Sequence, residues 1–312
     1  MILTAIVPGR DGMGFTAERS AAELGDMLGE ALHHRAATFQ VFDLDDVSLV
    51  QRGAIEIHVG GRPIDLRGRV FAPTPISLSP LREQKLITLY GVLLERGIPL
   101  LNRSFRSSPF LEFDKWAMQA AVSPLGIPCI PTMQLDGFAP PEAVLERCAE
   151  LGFHLPLILK PNRLSNGVGV VRCEERAGFL ETVRLVQQLG RDYLIQPFVQ
   201  HEGDLRVFLS RSEIYGFSLR RPGAGDFRGN LSSGARWIEG ELPDALAQWC
   251  FAIARRCDAD YIVLDWLETE MGFLFNEMCS TLGAFMGIYP AMHARISARI
   301  VDIALDKLKA AE

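Results

Sequence analysis

Residues 260–283 constrain the fold of this chain most strongly, because they have the pattern of a β-hairpin that carries paired acids. Two apolar runs flank the short polar segment 268–272, which predicts two antiparallel strands joined by a turn. With the turn centred on Met271, Asp265 and Glu277 face each other and point to the same side. Facing Cβ atoms lie about 4.5–5.5 Å apart, so two ionised carboxylates repel unless a proton or a cation lies between them. A hard ion such as Mg²⁺, bound by one or two carboxylates and substrate phosphates, fits this position.

The register of this hairpin decides whether the two acids form a site. A shift of one residue on one strand would turn the carboxylates to opposite faces, and an exposed hairpin with two solvated acids is the alternative interpretation. In the predicted register, Asn276 faces the opposite side of the strand from Glu277. We therefore do not expect Asn276 to join the acids.

Composition and cysteine usage narrow the class of protein. The chain has 312 residues, 48% of them hydrophobic and 22% charged, which suits a globular protein with two or three subdomains. The net charge of −6 argues weakly against general nucleic-acid binding. The six cysteines include no C-x-x-C pair, a pattern typical of reduced thiols, and no apolar run approaches the roughly 18 residues of a membrane span. We expect a soluble, cytoplasmic protein without a signal peptide.

Apolar periodicity predicts a mixed α/β chain. A small N-terminal α/β domain is predicted from strands at 2–7, 38–42, 55–59, 70–73 and 98–101. Later strands are predicted at 129–133, 157–160, 168–172, 192–197, 201–210 and 214–219. Helices are predicted at 16–33, 81–96, 113–122, 141–151, 175–189, 243–257 and 290–309.

A lysine and two glycines follow a buried strand within residues 155–172. Lys160 comes directly after the apolar run 157–159, and Gly167 and Gly169 lie in the loop that follows. Glycines let backbone N–H groups approach phosphates closely, and a lysine at the base of the loop supplies a positive charge. The Walker pattern is absent, so this is not a P-loop. A solvated lysine beside a hairpin loop is the alternative.

Two other loops are polar and rich in glycine. Arg220 and Arg221 precede residues 223–235, and paired guanidinium groups suit phosphate or carboxylate oxygens. Surface ion pairs, which stabilise little, are the alternative there. The glycines at 9–14 lack the G-x-G-x-x-G spacing, which disfavours a dinucleotide-binding loop.

Taken together, these motifs resemble the ATP-grasp superfamily and, within it, the RimK-like carboxylate–amine ligases. The resemblance covers residues 113–287 and is carried by DK, LILKPNRLSNGVGVV, LIQPFV, GDLRVFL, GDFRGNLSSG, VLDWLE and FNEMCSTLG. It implies an α/β (α+β) ATP-grasp fold with a small N-terminal α/β domain at 1–105. A central subdomain with a glycine-rich lid at 106–190 and a C-terminal subdomain with the metal site at 191–312 then clasp ATP.

The resemblance also implies a role for individual residues. Those implied to bind the nucleotide are Lys115, Lys160, Gly167, Gly169, Gln196, Phe198, Val199 and Asp204. Those implied to lie near the acyl phosphate and the incoming substrate are Arg206, Arg220 and Asn230. The implied Mg²⁺ ligands are Asp265 and Glu277, in agreement with the hairpin register.

Three positions depart from the family pattern. The metal motif is usually Glu-x-Asn, whereas Cys279 stands two residues after Glu277. A thiol is a poor ligand for Mg²⁺, so water or a nearby hydroxyl is expected to fill that coordination position. Pro197 stands where an acidic residue is common in the adenine hinge, and Leu282 replaces the usual proline. These changes favour a divergent substrate or a weakened enzyme.

The chemistry that the resemblance implies is ATP-dependent C–N ligation with ATP and Mg²⁺, Mn²⁺ being an alternative ion. A substrate carboxylate attacks the γ-phosphate of ATP, and an amine then displaces phosphate from the resulting acyl phosphate. Such a reaction needs positioning and charge neutralisation rather than a nucleophilic side chain. Asp265→Asn or Glu277→Gln is then expected to abolish Mg²⁺-dependent turnover with the fold intact.

The expected partners are small-molecule or peptide carboxylate and amine substrates, without nucleic acid or membrane, and a homo-oligomer is left open. Two alternatives keep the fold. One is an ATP-binding regulatory protein without ligase activity. The other is a phosphotransferase that stops at a phosphorylated product, which would need no amine.

Overall fold

The computed structural model describes most of the chain. The described residues are 1–7, 17–72, 79–102, 114–164, 167–221, 236–238, 242–282 and 290–311. The glycine loops at 9–14 and 223–235 lie outside them, and the predicted substrate-side residue Asn230 lies outside them as well.

The helices confirm the predicted periodicity to within two residues at either end. They are α1 (Ala17–His34), α2 (Pro80–Glu95), α3 (Lys115–Val122), α4 (Pro141–Glu150), α5 (Arg176–Gln188), α6 (Asp244–Arg256) and α7 (Pro290–Ala311). None of these helices is long and apolar enough to cross a membrane.

The strands of the described residues form four sheets. They are β1 (Ile2–Val7), β2 (Thr38–Asp43), β3 (Val47–Arg52), β4 (Ala54–Val59), β5 (Arg62–Pro63), β6 (Arg69–Ala72), β7 (Met133–Gln134), β8 (Leu157–Pro161), β9 (Val171–Cys173), β10 (Tyr193–Pro197), β11 (Gly203–Leu209), β12 (Ile214–Arg221), β13 (Arg236–Ile238), β14 (Ile262–Thr269) and β15 (Gly272–Cys279).

The N-terminal sheet is parallel, with β1 between β2 and β6. Its apolar strand β1 is buried on both faces, as expected for a parallel sheet covered on each side. The strand predicted at 98–101 is reduced to a bridge between Leu100 and Phe71 of β6. A hairpin of β3 and β4 was missed in part, because only the second of its strands was predicted.

The central sheet is antiparallel, in the order β7-β10-β8-β9. One of its faces packs on α4 and α5, with Leu157 and Leu159 in this core beside Val144 and Phe179. Side chains alternate along a strand, so Lys160 lies on the opposite face. The predicted returning strand begins at 171 rather than 168.

The C-terminal sheet has five antiparallel strands in the order β13-β12-β11-β14-β15. Its inner face packs on α6 and α3, and the core contains Leu205, Leu264, Trp266, Phe275 and Met278. Alternation leaves the residues between these positions on the other face, where the charged side chains lie.

The two ends of the chain share one core. Ile296 and Ile300 of α7 pack with Leu28 of α1 and with Phe208 and Val263 of the C-terminal sheet. This shared core holds the N-terminal sheet against the C-terminal sheet. The boundaries near residues 105 and 190 stay a prediction, since α3 also packs with the C-terminal sheet.

Candidate active site

The charged face of the C-terminal sheet is built on facing residues of adjacent strands. Arg206 of β11 faces Asp265 of β14, and the guanidinium donates to both carboxylate oxygens, at 2.7 Å from Nε and 2.6 Å from Nη2. Asp265 is 4% exposed, so the alternative interpretation, an exposed hairpin with solvated acids, is wrong for this residue. A bidentate pair of this kind is strong and fixes the orientation of both side chains.

A second pair extends the row to the neighbouring strand. Arg220 of β12 faces Asp204 of β11 and donates to its Oδ2. Arg220 Nη2 also lies 3.5 Å from Asp265 Oδ1, so the two arginines and two aspartates form one buried network. The alternative interpretation, in which Arg220 forms an ion pair at the surface, is therefore wrong. The side chain of Arg221 lies outside the described atoms.

The network shifts the pKa values of its two carboxyl groups in opposite directions. Burial alone would raise the pKa of Asp265, but the charges of Arg206 and Arg220 outweigh it and lower that pKa below its ordinary value. Burial and the charge of Asp265 raise the pKa of Asp204, although Arg220 opposes this. The structure therefore keeps Asp265 as the firmly ionised member of the pair.

The hairpin pairs Asp265 with Glu277, as the sequence predicted, but its turn position and its register differ from the prediction. Thr269 faces Gly272 across a two-residue turn, so the turn is centred half a residue before Met271. A β-bulge between Asp265 and Trp266 then inserts one extra residue on β15. Without the bulge, Asp265 would face Asn276.

The bulge also corrects the predicted direction of Asn276. Phe275 and Met278 both lie in the core on the inner face of the sheet, so the two residues between them share the charged face. The amide Oδ1 of Asn276 accepts a hydrogen bond from Lys160 Nζ at 3.3 Å. The prediction that Asn276 points away from the acids is therefore wrong.

Two buried lysines face this part of the hairpin. Lys115 Nζ lies 3.7 Å from Glu277 Oε2 and donates to the carbonyl oxygen of Leu164, at the base of the glycine loop. Lys160 is 6% exposed, so the alternative of a solvated lysine is wrong. Burial lowers the pKa of Lys160 to about 8; Glu277 opposes this shift, and Lys115 adds to it. The lysines stand where an anion with several charges would relieve their repulsion.

Asn162 holds Lys115 in place, and sequence reasoning missed it. Its backbone carbonyl accepts from Lys115 N at 3.1 Å, and its Oδ1 accepts from Trp116 N at 3.0 Å. Its Nδ2 donates to Asp192 Oδ2 at 2.8 Å. One buried amide thus ties the first turn of α3 to the end of β8, and an asparagine directly after a buried K-P dipeptide was the available signal.

The glycine loop is packed closely against the central sheet. Gly169 has φ +74, and a Cβ there would lie 2.8 Å from Pro161 Cγ and 2.9 Å from the hydroxyl of Tyr193. Gly167 also has positive φ. A side chain at Gly169 would be strained and would collide with its neighbours, so glycine is required by the fold here.

The predicted hinge comprises the end of β10 and the residues directly after it. Gln196 is buried and donates from Nε2 to Thr132 Oγ1 at 2.7 Å, while Phe198 N donates to the carbonyl of Pro156 at 2.9 Å. Phe198 and Val199 are half-buried. The guanidinium of Arg172 lies 3.7 Å from the centroid of the Phe198 ring, a cation–π contact that sequence reasoning missed.

Cys279, the departure from the usual metal motif, lies on β15 opposite Val263. Its Sγ is 3.2 Å from Thr281 Oγ1. The thiol thus has a hydroxyl beside it, and the expectation that a hydroxyl or water takes the missing ligand position stays a prediction.

The predicted residues therefore form two adjoining groups. The arginine–aspartate network comprises Asp204, Arg206, Arg220 and Asp265. The lysine cluster comprises Lys115, Lys160, Asn276 and Glu277, with Gly167, Gly169 and the hinge residues on the central sheet beside it. The ligand that each residue contacts remains a prediction.

The donors in the lysine cluster and the network fit Mg²⁺. Carboxylate and amide oxygens are hard ligands, and Mg²⁺ characteristically takes one or two carboxylates together with phosphates and water. Asp265 is engaged by two arginines, whereas the Glu277 side chain is 30% exposed. Glu277 is thus the carboxylate more open to an ion.

Comparison with known proteins shows the family of this chain. The sequence profile of the RimK-like ATP-grasp domain matches residues 125–303. These residues include the glycine loop, the arginine–aspartate network and the hairpin of β14 and β15. The class of protein is therefore that of the ATP-dependent carbon–nitrogen ligases of the ATP-grasp type. Within it, the chain belongs to the RimK-like ATP-grasp family.

Relatives resemble the chain over most of its length. A protein named "Probable alpha-L-glutamate ligase" from Stenotrophomonas maltophilia strain K279a is 25% identical over 288 residues, 90% of this chain and 94% of that one. The crystal structure of a RimK domain ATP-grasp protein from Sphaerobacter thermophilus superposes with a TM-score of 0.67 at 18% identity, covering 96% and 98% of the two chains. The ATP-grasp ligase PsnB, solved with a phosphomimetic variant of its minimal precursor, Mg and ADP, gives 0.61 at 18% identity over 98% of each chain. The predicted ATP-grasp fold is confirmed.

Proposed function

We propose that this protein joins a carboxylate to an amine through an acyl phosphate, with an amino acid or a peptide as substrate. The observation that carries the proposal is the position of two buried lysines, Lys115 and Lys160, opposite Glu277 and beside the arginine–aspartate network. Two ammonium groups suit the phosphates of ATP. Two guanidinium groups beside them suit the carboxylate and the acyl phosphate.

The first step is phosphoryl transfer. A carboxylate oxygen of the substrate attacks the γ-phosphorus, the bond from that phosphorus to the β–γ bridging oxygen breaks, and ADP leaves. Lys115 and Lys160 hold the phosphates, while Arg206 and Arg220 orient the attacking carboxylate. Their charges are fixed before the substrate arrives, so little reorganisation is needed in the transition state.

The second step forms the amide. The amine attacks the carbonyl carbon of the acyl phosphate, its extra proton passes to solvent or phosphate, and inorganic phosphate leaves. Arg206 and Arg220 neutralise the oxygens of the departing phosphate. We assign Asn230 to this step as a prediction from the family resemblance.

Glu277 would hold Mg²⁺ together with Asp265, and the ion would neutralise charge on the phosphate oxygens. Support comes from the Mg and ADP bound to PsnB and from the hard oxygen donors of this hairpin. Binding of the ion to Asp265 requires the carboxylate to share its oxygens with Arg206. We expect Mn²⁺ to replace Mg²⁺, since it accepts the same oxygen ligands.

Glutamate is the first acid or amine to test, because relatives such as the Stenotrophomonas protein carry the name of a glutamate ligase. A short peptide is the second, because its termini carry the same carboxylate and amine groups as an amino acid. A screen of amino acids alone therefore does not test peptide substrates.

The experiment is ADP release from Mg-ATP with L-glutamate, the other amino acids and short peptides, offered singly and in pairs. We expect release to require one acid and one amine, with an amide product found by mass spectrometry. The matched control is Glu277→Gln, which leaves the lysines in place.

Two outcomes would contradict the ligase, and a third would contradict the proposed metal site. ADP release that needs no amine, with a stable phosphorylated product, indicates a phosphotransferase. Tight ATP binding without release under any pair indicates a regulatory nucleotide-binding protein. Full activity in the Glu277→Gln variant would remove Glu277 from the metal site.

A further inference from the structure

The β-bulge in β15 gives the site a residue that local strand alternation does not reveal. In a regular strand, Asn276 and Glu277 would point to opposite faces. Here Phe275 and Met278 are both in the core, so both intervening side chains are directed toward the lysines. Asn276 contacts Lys160, and Glu277 lies near Lys115.

The contact between Lys160 and Asn276 crosses from one sheet to another. Lys160 lies in β8 of the central sheet, and Asn276 lies in β15 of the C-terminal sheet. The ammonium is buried and its aliphatic stem lies on the face away from the apolar core of the central sheet. An acceptor on the opposite sheet therefore fixes where the charged end of a four-carbon side chain points.

We propose that Asn276 is a positioning residue, whose amide oxygen directs the Lys160 ammonium toward the phosphates of the nucleotide. This inference rests on the proposed function, since it takes those phosphates to be the anion between the two sheets. Asn276 acts through Lys160 and donates nothing to the reacting atoms itself.

An amide suits this task better than a carboxylate. A neutral oxygen accepts one hydrogen bond and leaves the positive charge of Lys160 available to phosphate. An aspartate at the same place would add a second negative charge beside Glu277 and compete with phosphate for the lysine. Asn276→Asp should therefore weaken nucleotide binding more than Asn276→Ala does.

The test is a double-mutant cycle on the binding of a non-hydrolysable ATP analogue with Mg²⁺, followed by titration calorimetry. We expect Asn276→Ala to weaken binding about tenfold, the effect of one hydrogen bond to a charged group. In a Lys160→Met background the same substitution should change the affinity less than about twofold, because the group that Asn276 positions is gone. Asn276→Ser keeps an acceptor and should recover part of the loss.

The control is Glu270→Gln, at the exposed turn of the same hairpin, which should leave binding and the midpoint of thermal unfolding unchanged. Equal or tighter binding by the Asn276→Ala variant would overturn the inference, as would a tenfold loss that persists without Lys160. A wild-type protein that fails to bind the analogue would overturn the proposed function together with the inference. If the wild-type protein binds the analogue and Asn276→Ala does not change the affinity, the inference alone is overturned.

Discussion

The arginine–aspartate network and the lysine cluster lie side by side but satisfy their charges differently. In the network, Arg206 is bidentate to Asp265 at 2.6–2.7 Å. In the lysine cluster, the corresponding contacts are 3.3 Å for Lys160 with Asn276 and 3.7 Å for Lys115 with Glu277. The charges of the network have close partners of opposite sign, whereas no described carboxylate lies as close to either lysine.

This difference separates two roles within one site. Buried charges that pair tightly contribute to the orientation of strands and are costly to break. Charges that repel each other and have weak partners gain most from a ligand of opposite sign. We therefore expect the network both to stabilise the fold and to bind substrate. We expect the lysine cluster chiefly to bind an anionic ligand.

The largest expected effect is at Asp265. Asp265→Asn leaves Arg206 and Arg220 buried, with Asp204 as the one remaining counter-charge of the network in the described part of the chain, so the free energy of unfolding should fall by about 3–5 kcal/mol. Mg²⁺-dependent turnover should be lost as well. This revises the expectation, drawn from the sequence, that the fold stays intact. Equilibrium unfolding in urea at neutral pH measures the effect.

Asp258→Asn provides the matched control for that measurement. Asp258 is paired with Arg211 in an exposed ion pair, and such pairs contribute less than about 1 kcal/mol. If Asp265→Asn cost no more than this control, Asp204 would suffice to neutralise both arginines, and the contrast between the two groups would fail.

Glu277→Gln should separate activity from stability. Its nearest described cation is 3.7 Å away and its side chain is 30% exposed, so the free energy of unfolding should fall less than in Asp265→Asn. ADP release in the presence of both substrates should fall by about 100-fold or more, since the proposed function makes Glu277 a metal ligand. Measuring both quantities on one preparation tests the contrast directly. A stability loss equal to that of Asp265→Asn would show that the lysine cluster is scaffold too.

The smallest effect is the pH dependence of nucleotide affinity. The pKa of Lys160 is about 8 in the unliganded protein, so its ammonium is lost as the pH rises from 7 to 9. Affinity for the ATP analogue should fall by up to about tenfold at pH 9. Lys160→Arg, which stays charged, should flatten this dependence. A wild-type profile that is equally flat would mean that Lys160 keeps its proton.

The same pKa has an opposite consequence for stability. The folded value of about 8 lies below the ordinary value of 10.5, so the unfolded chain binds this proton more tightly. Burial of the charged lysine then costs stability in full below pH 8, and the cost shrinks as the pH rises from 8 toward 10.5. Ligand affinity and stability therefore change in opposite directions with pH at this residue.

Local pattern was sufficient for most of the fold. The helices follow the apolar period of 3.6 residues, and α7 was predicted from an apolar stripe of Ile296, Ile300, Ile303, Ala304 and Leu308. The strand at 98–101 was over-predicted, because a short apolar run does not say whether a partner strand is available. The strand β3 was missed, since its exposed, polar-rich sequence carries little alternation.

The order of the sequence motifs and the spacing of two acids around a turn were enough to predict most of the charged residues that the structure brings together, but not Asn162 or Asn276. Tertiary structure decided how they are used. The facing of Asp265 and Glu277 depends on one bulged residue that compensates for a shifted turn, and nothing in the local pattern marks a bulge. The partners of Asp265 were equally hidden, because Arg206 and Arg220 meet it only when β11 pairs with both β12 and β14. Periodicity is a property of neighbouring residues, whereas these contacts depend on strand order and register across segments distant in sequence.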